Sequence, residues 1–89
     1  MARFEAASPE ITECIPDGAS TDALFELGLM YCTGRDADPD LITAHKWFNI
    51  AAMRGNDAAK QYRQEISREM SKAEIATAQK LAREWLTRH

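Results

Sequence analysis

The residues of this chain whose types could support chemistry are few: His45 and His89, Cys14 and Cys32, and an acidic run at Asp36, Asp38 and Asp40. A histidine can activate a cysteine or serine as a nucleophile, provided the two groups, and usually a third that orients the base, lie within hydrogen-bond reach. His45 is the only histidine away from the chain end, and no Ser, Cys or carboxylate stands at a spacing that defines such a pair. The two cysteines fit no zinc-ligand spacing and the histidines are scattered, so no metal site is expected. Both are read as reduced thiols, at least one of them packed as a small apolar group. The aspartate run resembles a calcium loop in its alternation alone. Counted from Asp36, the sixth and twelfth places hold Leu41 and Trp47, where that loop requires glycine and a bidentate glutamate. The aspartates are therefore assigned to turns and helix caps. With no glycine-rich phosphate loop either, the expectation is no catalytic residue, no metal and no cofactor.

The chain's 89 residues suffice for one small domain. A net charge of −3 argues against nucleic acid or an anionic membrane as the main partner. No apolar run approaches the roughly 18 residues a spanning helix requires, and "MARFEAASPE" has neither a basic leader nor an apolar signal core. A cytoplasmic location is expected.

Local signals call for helices and nothing else. Residues 1–19 read as a leader: Ser8-Pro9 can open a short helix, which Pro16-Asp17-Gly18 soon ends. Ser20-Thr21-Asp22 caps a helix that runs to about Thr33 and stops at Gly34. Asp38 or Asp40 starts a second, running to Arg54 with Gly55 as its left-handed stop. Asn56-Asp57 starts a third, ending near Glu69. Ser71 and Glu74 form a capping box, flanked by Met70 and Ile75 as a hydrophobic staple, and a last helix runs from about Lys72 to Thr87. The fold class is all-α.

Asp22-Ala23 recurs as Asp57-Ala58, an offset of 35 residues, and Thr43, Ala44 and Lys46 recur as Thr77, Ala78 and Lys80, an offset of 34. A period of this size built from two helices is that of helical-hairpin solenoids. The series Ala23, Leu27-Gly28, Met30-Tyr31, Gly34, Asp40, Ala44, Trp47-Phe48, Ala51-Ala52, Gly55-Asn56 and Ala58 resembles a Sel-one-like repeat, a relative of the tetratricopeptide repeat. Asp36 and Ala37 depart from it, standing where the family usually shows a second glycine and a valine. The resemblance implies two antiparallel α/α hairpins stacked as a short solenoid, with residues 20–55 as the repeat and 56–89 as a degenerate repeat and cap of the kind found in bacterial proteins. It also implies a role in protein–protein interaction, as an adaptor or subunit, and no catalysis.

Apolar spacing then assigns the faces. On the second helix Leu41, Ala44, Phe48, Ala51 and Ala52 make one stripe with Trp47 at its edge; the aromatic pair is assigned to core. The third presents Ala58, Tyr62, Ile66 and Met70, and the fourth Ile75, Ala78, Leu81, Ala82, Trp85 and Leu86. The first helix carries two stripes: Leu24, Leu27, Gly28 and Tyr31 toward the second helix, and Phe25, Leu29 and Cys32 toward something else. Either Phe4, Ile11 and Ile15 of the leader fold back over that second stripe, or another protein or a second copy of the chain covers it. Phe25, Leu29 and Cys32 are thus the candidate protein-binding residues. The alternative from another class is nucleic-acid binding through Lys80, Arg83 and Arg88, opposed by Glu74, Glu84 and the net charge.

Overall fold

The computed structural model describes residues 20–34 and 38–88; the leader with Cys14, the loop positions Asp36 and Ala37, and His89 lie outside them. Four helices follow one another: α1 Thr21–Thr33, α2 Leu41–Met53, α3 Asp57–Ser67 and α4 Lys72–Arg88. No strand occurs among the described residues.

Each boundary is set by side chains that satisfy backbone groups the helix leaves unpaired. The Ser20 hydroxyl accepts from the Ala23 N–H at 3.1 Å. Of the two candidate aspartates it is Asp40 that caps α2, one carboxylate oxygen accepting from the Thr43 N–H and the other from its hydroxyl. Asn56 Oδ1 accepts from Ala59 N–H at 2.8 Å. Before α4 the capping box closes in both directions: Ser71 Oγ accepts from the Glu74 N–H, and Glu74 Oε1 accepts from the Ser71 N–H. The α2–α3 junction is the tightest. Gly55 at φ 104 donates to Ala52, Asn56 donates to Ala51, and the same Asn56 then starts the next helix. That pair of bonds is a Schellman stop, which favours a residue without Cβ.

The third helix ends two residues sooner than its sequence suggests. Arg68, Glu69 and Met70 each donate back three residues, to Glu65, Ile66 and Ser67, forming a narrower turn that carries Met70 into the core.

All of the extensive helix–helix packing involves α2, which lies against α1, α3 and α4. Asp40 N–H donates to the Tyr31 carbonyl and Phe48 stacks beside Phe25, so α1 and α2 are antiparallel. His45 meets Ser67 and Asn49 meets Arg63, so α3 is antiparallel to α2 as well. The rings of Trp47 of α2 and Trp85 of α4 meet edge to face, 5.6 Å apart at 77°. The stripe expected on α2 is consequently too narrow: Ile50 and His45 are buried along with Ala44, Trp47, Phe48 and Ala51. A helix with neighbours on three sides has no broad polar face to show. On α3 the expected stripe is corrected at its start, Ala59 being fully buried and Ala58 exposed. The face assigned to α4 holds, with Ala78, Ala82 and Trp85 buried and Ile75, Leu81 and Leu86 half-buried. No helix among the described residues is long and apolar enough to cross a membrane.

Candidate protein-binding face

Both α1 and α3 run antiparallel to α2, so they are parallel to each other, side by side on one flank of it. Between them lies a shallow face whose floor is Phe48. Gly28 lets α1 approach that ring: a Cβ built at Gly28 would stand 2.5 Å from Phe48 Cδ1 and Cε1. Close approach at a residue without a side chain, with a large ring filling the space, is how this interface reaches interior packing density.

The second stripe of α1 turns toward this face. Phe25 packs between Phe48, with ring centres 5.7 Å apart, and Tyr62 of α3, edge-on at 5.4 Å. Tyr62 also meets Phe48 at 5.5 Å, closing a triangle of rings. Tilted and edge-on arrangements put the positive ring edge against the negative face, the favoured geometry for aromatic pairs. Leu29 and Cys32 continue along α1, half-buried and packed against the same core. The three candidate residues therefore share one side of α1 and are partly buried against the core, Phe25 between α2 and α3, which a sequence stripe alone did not reveal. Tyr62 joins them and keeps 40% of its surface exposed.

Carboxylates border the face. Burial raises the Cys32 thiol pKa above its ordinary value, and Glu69 of the turn after α3 and then Glu65 of α3 raise it further. A thiol so placed stays protonated and is a poor nucleophile.

His45, given no role by its sequence surroundings, is 2% exposed between α2 and α3. Its Nε2 stands 3.1 Å from Ser67 Oγ, and that hydroxyl donates to the Arg63 carbonyl at 2.7 Å. One hydroxyl has one proton, so the bond between ring and serine is donated by Nε2–H. The histidine is then not poised as a base toward Ser67, and its Nδ1 is buried without a hydrogen-bond partner. Burial, and next the positive charge of Arg63, lower the His45 pKa. The group joins two helices as a neutral ring. Burial found it; nothing in its spacing could have. Of the basic residues on α4, Lys80, Arg83 and Arg88 are all exposed.

This geometry is an α/α hairpin, α1 and α2, continued by two further helices. Residues 21–56, which span the hairpin and end on the Asn56 cap, match the family model described as the Sel1 repeat. Over that stretch the chain is similar to a Sel1 repeat. The match takes in the resembling series from Ala23 to Asn56 and leaves out only Ala58. Sel1 repeats generally mediate protein–protein interaction. No curated protein and no solved structure matches the chain. Within the matched stretch, Gly28 and Phe48 form the contact that joins the two helices, and Phe25 stands where that stretch meets α3.

Proposed function

We propose that this chain is a non-catalytic interaction module, an adaptor or subunit, that holds another protein on the face between α1 and α3. The observation that carries the reading is the aromatic group of Phe25, Phe48 and Tyr62: its floor is sealed but its rim is open, with Tyr62 40% exposed beside half-buried Phe25, Leu29 and Cys32. Tyrosine and phenylalanine with one side packed and the other wet are enriched among residues that anchor protein partners. In this reading residues 56–89 serve as a degenerate repeat and cap, closing the stack with one-faced helices, and the protein works in the cytoplasm. Nucleic acid is not the partner: Lys80, Arg83 and Arg88 share α4 with exposed Glu74 and Glu84, and the net charge is −3.

The test is affinity capture from the native cell with wild type, Tyr62→Glu and Phe25→Glu side by side, each checked for folding by circular dichroism. A partner lost on Tyr62→Glu supports the reading. A partner retained by both folded variants moves the interface elsewhere, and retention on DNA at low salt that fails on Arg83→Ala with Arg88→Ala supports the nucleic-acid alternative. Light scattering after size exclusion identifies a homodimer.

A further inference from the structure

The banks of the α1–α3 face carry one sign of charge. Helix α1 contains no lysine or arginine at all. Asp22 stands three and seven residues before Phe25 and Leu29, on the same side of α1, and is exposed. Across the face, Glu65 follows Tyr62 by three residues on α3 and Glu69 stands in the turn that ends it, both exposed and both near enough to act on the Cys32 thiol. No ion pair holds any of these three carboxylates among the described residues. The cations of α3 are placed differently. Arg63 is engaged with Asn49 at 2.7 Å on the α2 side, and Lys60 falls on the other side of α3 from Tyr62 and Glu65 at helical spacing.

An apolar strip with an aromatic anchor, bounded on both banks by unpaired carboxylates, complements one kind of partner. We infer that the face takes a basic amphipathic helix of a partner protein, its apolar side seated on Phe25, Leu29 and Tyr62 and its lysines or arginines against Asp22, Glu65 and Glu69. This rests on the interaction reading above and specifies its partner. Apolar contact on the strip resists dissociation, whereas the carboxylates steer the approach and make binding sensitive to salt. An acidic partner would place like charges together on both banks.

The test uses the full chain and a fluorescent synthetic leucine–lysine amphipathic peptide of about 14 residues, matched to the helical length of α1 at about 1.5 Å per residue. Its leucine–glutamate counterpart is the comparison, and binding is read by anisotropy. Binding of the basic peptide is expected to weaken roughly tenfold on Glu65→Lys with Glu69→Lys, to weaken on Tyr62→Ala, and to be unchanged on Glu84→Lys, which alters the net charge on α4. Equal binding of the acidic peptide overturns the inference, as does a loss on Glu84→Lys equal to that of the double reversal. A gain of roughly tenfold on Phe4→Asp with Ile11→Asp overturns it too, since the chain's own leader would then be the occupant. A dimer that dissociates on Tyr62→Glu assigns the face to a second copy and likewise overturns it. A cellular partner lost on Tyr62→Glu yet indifferent to reversal at Glu65 and Glu69 overturns the basic-helix assignment alone and leaves the interaction reading standing.

Discussion

Gly28→Ala is the substitution whose sign best distinguishes the packing described above from ordinary helix propensity. In an exposed helix interior the change would stabilise by about 1 kcal/mol. Here the new Cβ would lie 2.5 Å from Phe48 Cδ1 and Cε1 and 3.0 Å from Cζ. Carbon atoms pack best at about 3.5–4.0 Å, so ring and helix must separate by about 1 Å. The ring has little freedom to retreat: Phe48 is fully buried, with Phe25 and Tyr62 against it. Overpacking of this kind costs about 1–3 kcal/mol, and setting the propensity gain against it leaves a net loss of up to about 2 kcal/mol. For a domain of this size that lowers Tm by up to about 16 °C. The assay is thermal and urea denaturation followed by far-ultraviolet circular dichroism, on Gly28→Ala, Phe48→Leu and the double variant. Phe48→Leu vacates the space the methyl needs, so the double variant should be more stable than the sum of the single losses by about 1 kcal/mol. A Gly28→Ala protein that melts above the parent, or additive losses in the cycle, would refute the close approach of α1 to Phe48.

Three further outcomes follow from the same contacts. Because the His45 pKa is lowered in the folded state, the unfolded chain takes up the proton first; stability is full above the ordinary histidine value of about 6.5 and declines as pH falls below it, by at most about 1.4 kcal/mol per pH unit. Urea midpoints at about pH 7.5 and 5.5 should therefore differ less in His45→Gln than in the parent, and equal differences would show that the ring does not titrate against folding. Trp85→Ala removes the buried ring that meets Trp47 and should cost about 3–5 kcal/mol in urea unfolding, much of the roughly 4–13 kcal/mol expected for a domain this small. Glu69→Gln removes a carboxylate that holds the Cys32 pKa up, so alkylation of Cys32 near pH 8, read by peptide mass mapping, should quicken; an unchanged rate would mean that the carboxylate does not reach the thiol.

The helix boundaries, apart from the end of α3, were readable from sequence because each rests on two to four neighbouring residues. Ser71 with Glu74, or Gly55 with Asn56, carries its own hydrogen-bonding instructions wherever it is placed. The assignment of Trp47 and Phe48 to core was readable for a similar reason, two large rings beside small residues at helical spacing. The surroundings of α2 were not. His45 and Asn49 look polar and outward in a one-face analysis, and only the arrival of Ser67 and Arg63 from α3 turns them inward. Ala58 and Ala59 are chemically alike, so nothing but tertiary packing chooses between them. The candidate stripe was readable as Phe25, Leu29 and Cys32, but Tyr62, contributed by another helix, could join it only once the backbone placed α3 beside α1.

The position of α2 among its three neighbours also sets the order in which the molecule can come apart. Undocking α1 or α4 breaks one of its flanks and leaves the others, so either outer helix can open while the remainder keeps its structure. The amides of α2 have no such partial route. They exchange with solvent only when every neighbour has been released, and their exchange rate measures the stability of the whole domain, whereas that of α1 measures how often the candidate face loses its wall.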